Sequence, residues 1–141
     1  MTKIIYTIII TLCYNCLAFG QKEEIQKIQI KYIDFTTLTD SKICCDNFEL
    51  AGDYKKITIT NRKKITNFEK KLYCGVKDTL RNYILDSRAK IILYRKSNYN
   101  DTICVSRYGY CINDLVIRDE KFINYIEMLI KGIDKNFSYE Y

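Results

Sequence analysis

Cysteine is the residue type in this sequence whose number and spacing could support chemistry. The chain of 141 residues has seven cysteines, two of them within its first twenty residues. A cysteine can act as a nucleophile, a metal ligand or half of a disulfide. The stretch DTICVSRYGYC, from Asp101 to Cys111, holds two cysteines with six residues between them. The other cysteines beyond the first twenty residues are Cys44, Cys45 and Cys74.

The pattern around these cysteines favours a disulfide over catalysis or metal binding. No C-x-x-C occurs beyond the first twenty residues and the chain has no histidine, so we predict no catalytic residue, no metal and no cofactor. Cys104 and Cys111 lie on two arms of a predicted hairpin, which indicates a Cys104–Cys111 disulfide. Adjacent residues of a strand face opposite ways, so the core-facing member of the Cys44–Cys45 pair can bond Cys74. Cys45–Cys74 is therefore a second candidate, while unpaired buried thiols or a redox or metal site remain alternatives.

The first twenty residues have the layout of a secretory signal peptide. One lysine precedes an apolar run that is shorter than the roughly 20 residues needed to span a bilayer, and small residues follow at Ala18 and Gly20. We predict a signal peptide at residues 1–20 and a single domain at residues 21–141, without an integral membrane segment after cleavage. The expected location is the periplasm or the medium.

Hydrophobic periodicity predicts the elements of that domain. Alternating apolar residues indicate strands near Ile28–Phe35, Ile57–Thr60, Ala89–Tyr94, Thr102–Ser106 and Cys111–Ile117, and Thr37–Cys45 is a further strand candidate. Helical spacing follows Asn61 and Asp119, which are suitable N-cap residues. The predicted order β-β-β-α-β-β-β-α indicates an α+β fold: an antiparallel sheet of five to six strands with two helices packed on one face.

Two groups of side chains are candidates for binding a partner. The hairpins concentrate tyrosine and arginine, which are frequent in interface hot spots, and the predicted contact residues are Tyr94, Tyr99, Arg107, Tyr108 and Tyr110. The same tyrosines could be ordinary cross-strand pairs of a half-exposed sheet. The first helix carries a basic patch, which is also typical of a solvated helix face: Lys63, Lys64, Lys70, Lys71 and Lys77.

These observations favour an exported module that binds another protein. The formal net charge of +6 is too small to indicate nucleic-acid binding by an exported domain. We therefore expect an inhibitor or immunity-type protein that occludes a toxin, hydrolase or envelope protein in its own compartment. Two alternatives stay open: a small histidine-free hydrolase or thiol/redox protein, and a structural envelope component that binds an anionic polymer.

Overall fold

The computed structural model describes residues 23–39, 41–73, 78–80 and 85–137. The predicted signal peptide at residues 1–20 lies outside these ranges, as do Cys74 and Lys77. Within the described ranges, seven strands form one antiparallel sheet in the order β2-β1-β4-β5-β6-β7-β3. The strands are β1 (Ile25–Tyr32), β2 (Lys55–Ile59), β3 (Asp78–Leu80), β4 (Ala89–Arg95), β5 (Asn100–Val105), β6 (Tyr110–Ile112) and β7 (Leu115–Arg118).

The helices of the described residues, α1 (Arg62–Tyr73) and α2 (Glu120–Lys131), begin where the sequence places their caps. The Asn61 side-chain oxygen accepts a hydrogen bond from the backbone N–H of Lys64 at 3.1 Å. The Asp119 carboxylate accepts one from the backbone N–H of Phe122 at 3.0 Å. Each bond satisfies an N–H that the first turn of a helix leaves without a partner.

Both helices bury their apolar stripes on one face of the sheet. Phe68 of α1 and Phe122 of α2 meet edge to face, with 5.6 Å between ring centroids, and both are almost fully buried. The facing strand residues include Ile28, Ile91 and Ile103, which share the same core. The predicted α+β fold, with an antiparallel sheet and two helices on one face, is confirmed.

The strand predicted over Thr37–Cys45 is wrong, and β3 was not predicted. In place of a strand, the Asp34 carboxylate accepts hydrogen bonds from the backbone N–H and the hydroxyl of Thr36, at 3.0 and 2.8 Å. Such a local side-chain bond turns the backbone out of an extended conformation. Leu38, beyond this turn, is 91% exposed, so the alternation of apolar and polar residues there does not mark a strand with a buried face.

Residues 33–39 and 41–54, which we call the crossing segment, lead from β1 to β2, and the part around Cys45 and Glu49 lies over the sheet face opposite the helices. Its short 3-10 turn, Phe48–Leu50, carries Glu49. Glu49 bridges Lys31 of β1 at 2.7 Å and Lys90 of β4 at 3.1 Å. A second small core lies within the segment and comprises Ile33, Ile43 and Phe48, with Tyr54 packed against them.

A disulfide between Cys45 and Cys104 ties the crossing segment to β5, with 5.7 Å between the Cα atoms. Both pairings expected from the sequence, Cys104–Cys111 and Cys45–Cys74, are therefore wrong. Cys104 does lie directly opposite Cys111. Directly opposed strand residues hold their Cβ atoms about 4.5–5.5 Å apart, wider than the 3.8 Å typical of a disulfide. The crossing segment instead brings Cys45 to Cys104 at a Cα separation within the usual range for disulfides.

Acid is expected to loosen the crossing segment through Glu49. The hydrogen bond from Lys31 lowers the pKa of Glu49 from its ordinary 4.5 to about 2, against the opposing effect of burial. A lowered carboxyl pKa stabilises the folded state above pH 4.5, and this contribution is lost as the pH falls toward 2. We expect the difference in free energy of unfolding between wild type and Glu49→Gln, measured in urea, to shrink across that window.

Glu120→Gln is the matched control for this measurement. Glu120 pairs with Arg118 on the surface, where its side chain is 72% exposed. Its removal should change stability little at any pH, because exposed ion pairs contribute little. A wild-type advantage over Glu49→Gln that stays constant from pH 5 to pH 2 would contradict the assignment.

Candidate functional site

A cavity among the described residues opens at one end of the sheet, where β4 turns into β5. Its volume is about 450 Å³. The start of β1, the last turn of α1, the β4–β5 hairpin and the β6–β7 turn all contribute to it. We call it the Arg95 cleft, and its lining residues are Glu23, Tyr73, Arg95, Ser97, Tyr99, Asp101, Ile112 and Asn113.

Local turn chemistry builds two sides of the Arg95 cleft. In the β4–β5 hairpin, Asn98 has a φ of 64°, a left-handed conformation that asparagine tolerates better than most residues. The backbone N–H of Arg95 donates to the carbonyl of Tyr99 at 3.2 Å and closes this hairpin. Asn113 and Asp114 have φ values of 50° and 60°, as a type I′ turn requires, and join β6 to β7.

An ion pair between Arg95 and Asp101 forms the floor of the cleft. The Arg95 and Asp101 side chains are 7% and 11% exposed. Nε and Nη2 of Arg95 lie 2.7 and 2.6 Å from Oδ2 of Asp101. The guanidinium also donates to the backbone carbonyl of Glu23, and to the Tyr73 hydroxyl at 3.3 Å. Burial opposes the charge, yet the Asp101 hydrogen bond and charge raise the pKa of Arg95 above its ordinary value.

Tyrosine rings and one carboxylate make up the walls. Tyr99 is 63% exposed at the hairpin, and Tyr73 is 37% exposed at the end of α1. Burial raises the pKa of Tyr73, although the nearby Arg95 charge opposes this rise, so the ring keeps its hydroxyl proton near neutral pH. The Glu23 carboxylate accepts a hydrogen bond from the Ser97 hydroxyl. The arrangement offers aromatic surface over a floor whose charges are already paired, which suits binding more than proton transfer.

The predicted contact residues do not form one surface. Tyr99 lines the Arg95 cleft. Tyr94 points to the opposite face of the sheet, where the Lys27 ammonium lies 3.8 Å from its ring centroid. Arg107 and Tyr108 are exposed in the β5–β6 turn, at the other end of β5. A strand of six residues separates its two ends by roughly 20 Å, so Tyr99 and Tyr108 belong to different regions.

Tyr110 was expected at a binding surface, and this is wrong. Its side chain is fully buried, with its ring centroid 4.7 Å from that of Phe122 in α2. In the sheet register, Tyr110 lies opposite Val105 and Ile117, which both face the helices. Tyr110 is therefore a core residue.

The basic patch predicted on the first helix is present in its described part. Lys63, Lys64, Lys70 and Lys71 are exposed on α1, and Lys77 lies outside the described residues. Nearby, Arg62 pairs with Glu24 at the start of the helix. The four helix lysines lie on the side of α1 away from its buried residues Ile65, Phe68 and Leu72.

A second cavity, of about 380 Å³, lies at the end of β1, and two of its lining residues, Tyr32 and Lys55, bond to Asp134. Asp134 accepts hydrogen bonds from the Tyr32 hydroxyl at 2.7 Å and from Lys55 at 2.8 Å. Chiefly through the Lys55 hydrogen bond, the pKa of Asp134 falls to about 2. These bonds hold the chain after α2 against β1 and β2, so we assign this group a structural role.

Sequence reasoning missed the Arg95 cleft, although one signal for it was present. In the strand AKIILYR, alternation places Ala89, Ile91 and Leu93 on the buried face, and the same alternation assigns Arg95 to that face. An arginine at an inward position requires a buried partner. Asp101, across the hairpin, could have been inferred as that partner.

Comparisons with known proteins do not assign this arrangement to a family. No protein-family model, curated protein or solved structure matches the chain. Within the part of the chain that the structure describes, no cluster of three or more cysteine, aspartate or glutamate side chains could hold a metal ion. The helices described are too short or too polar to cross a membrane.

Proposed function

We propose that this chain is a small exported protein-binding module of the inhibitor or immunity type, which occludes a toxin or hydrolase in its own compartment. The observation that carries the proposal is the Arg95 cleft, where Tyr99 is exposed beside a floor of paired charges. Tyrosine offers a large contact area and a hydroxyl at a small cost in side-chain entropy. A side chain of the partner protein would enter between Tyr99 and Tyr73.

The floor of the cleft supports binding because its geometry is fixed before the partner arrives. Arg95 bonds to Asp101, to Tyr73 and to the backbone of Glu23. A group held by several bonds loses little further freedom when a ligand arrives, so less of the contact energy is spent on ordering. The paired floor also leaves no uncompensated charge beneath an incoming apolar side chain.

Export is supported by the layout of residues 1–20 and by the Cys45–Cys104 disulfide. Disulfides persist in oxidising compartments and are rare in the cytosol. The predicted cleavage before Gln21 would leave Glu23 near the new N-terminus, at the mouth of the Arg95 cleft. We infer that the cleft is used in the exported form.

The hydrolase alternative receives less support from the described residues. It predicts a reactive thiol among Cys44, Cys45 and Cys74, or a carboxyl group whose pKa is raised inside a cleft. Cys45 is bonded to Cys104, and Cys74 lies outside the described residues. Burial does raise the pKa of Glu127, but this residue lies on α2 and lines neither cavity. Binding of an anionic envelope polymer is a second candidate, favoured by the exposed lysines of α1. That binding would weaken steeply with added salt, whereas capture in the Arg95 cleft would depend on Tyr99.

Tyr99→Ala tests the proposal, with Tyr108→Ala as the matched control. The two tyrosines are 63% and 64% exposed, so both variants should keep the wild-type melting temperature. In pull-downs from the exported protein fraction, wild type and Tyr108→Ala should retain a partner that Tyr99→Ala loses. The affinity for that purified partner should fall roughly tenfold or more in Tyr99→Ala, as at an interface hot spot. Equal affinity of all three proteins would contradict the proposal.

A further inference from the structure

We propose that Cys111 is a thiol–disulfide exchange site that attacks Cys104 and releases Cys45, and so detaches the crossing segment from the sheet. The inference is independent of the partner and of the Arg95 cleft. It rests on three cysteines brought to one place: the Cys45–Cys104 disulfide and a free thiol beside it.

Strand register places the free thiol next to the disulfide. Cys104 of β5 is directly opposite Cys111 of β6. Directly opposed residues of an antiparallel pair project to the same face, with Cβ atoms about 4.5–5.5 Å apart. Cys111 is free and half-buried, whereas Cys104 is 2% exposed. A thiolate from solvent therefore reaches Cys104 poorly, while Cys111 already adjoins it.

The exchange is balanced without an oxidant or a reductant. The Cys111 thiol loses its proton, and the thiolate Sγ attacks Sγ of Cys104. The Cys104–Cys111 bond forms as the Cys45–Cys104 bond breaks. The electron pair leaves on Sγ of Cys45, which takes up a proton from water. One disulfide and one thiol are present before and after the step.

Other anchors determine how far the exchange proceeds. After the step, the crossing segment is still held by Glu49, which contacts Lys31 and Lys90, and by its own small core around Phe48. The wide spacing of directly opposed residues disfavours a Cys104–Cys111 bond. Cys45–Cys104 should therefore dominate in the wild type. Weakening the Glu49 anchor should shift the balance toward Cys104–Cys111.

Cysteine mapping in wild type and Glu49→Gln tests the exchange without removing any cysteine. The proteins are purified without reductant, incubated at pH 8.5 for several hours and quenched with acid. Trypsin cleaves after Arg107 and so separates Cys104 from Cys111. Cleavage after Lys42 and Lys55 gives one peptide that holds both Cys44 and Cys45, and fragment ions from the bond between them show which of the two is linked. We expect a minor Cys104–Cys111 product in wild type. Its share should rise roughly two- to fivefold in Glu49→Gln, as the loss of a modest ion pair implies.

Two variants that each lack one cysteine act as controls. Cys111→Ser should keep only the Cys45–Cys104 link, and Cys44→Ser should keep both products, since Cys44 is exposed and takes no part. The proposal is overturned if wild type and Glu49→Gln show only Cys45–Cys104 after incubation. A Cys104 linked to Cys44 or Cys74 in place of Cys111 would overturn it equally.

Discussion

Asp101→Ala is expected to lower the free energy of unfolding by about 3–5 kcal/mol, because it leaves a buried guanidinium without its counter-charge. The Arg95 side chain is only 7% exposed, so water solvates its charge poorly once the carboxylate is gone. The remaining partners of Arg95 are neutral oxygens of Tyr73 and Glu23. Urea denaturation of the purified variant gives the measurement.

Two controls separate an unpaired charge from a general loss of contacts. The double variant Arg95→Met/Asp101→Leu removes both charges and should recover most of the lost stability, since apolar replacement of a buried pair is often neutral. Glu120→Ala breaks the surface pair with Arg118, whose side chains are 60% and 72% exposed, and should cost less than about 1 kcal/mol. If the double variant is as unstable as Asp101→Ala, the charge is not the cause.

Reduction of the Cys45–Cys104 disulfide is expected to lower the free energy of unfolding by about 4 kcal/mol. The bond joins residues that are 59 apart in sequence, and the entropy lost by the unfolded chain grows with the length of the closed loop. Urea midpoints of wild type with and without dithiothreitol measure the effect. Cys104→Ala is the matched variant, because it removes the bond whichever partner Cys104 takes. Its midpoint should equal that of the reduced wild type and should not respond to dithiothreitol.

Elements governed by local pattern were predictable from the sequence. Ile28, Ile30 and Tyr32 alternate because one side of β1 faces the helices, and the structure buries all three. Asn61 and Asp119 cap their helices through the bonds that their side chains can make over one turn. In each case the signal that identifies the element lies in residues close in sequence.

Features governed by distant contacts were not predictable in the same way. The choice of Cys45 as the partner of Cys104 depends on the path of the crossing segment, which Glu49 fixes through Lys31 and Lys90. No periodicity encodes that path. The Arg95 cleft likewise needs the end of α1 to bring Tyr73 beside the hairpin. The location of Tyr110 was missed for a different reason. In a strand of three residues, pairing with the neighbouring strands decides which side chains face the core.

The order of the sheet also bears on how this protein avoids unwanted association with copies of itself. Its outer strands are β2 and β3. Long, flat, apolar outer strands invite strand addition and fibrillar aggregation. Here β3 has only three residues, and β2 presents exposed Lys55 and Lys56 along its first half. Neither outer strand readily accepts an added strand from another chain. We therefore expect the protein not to aggregate at high concentration and to bind partners through side chains rather than by strand addition.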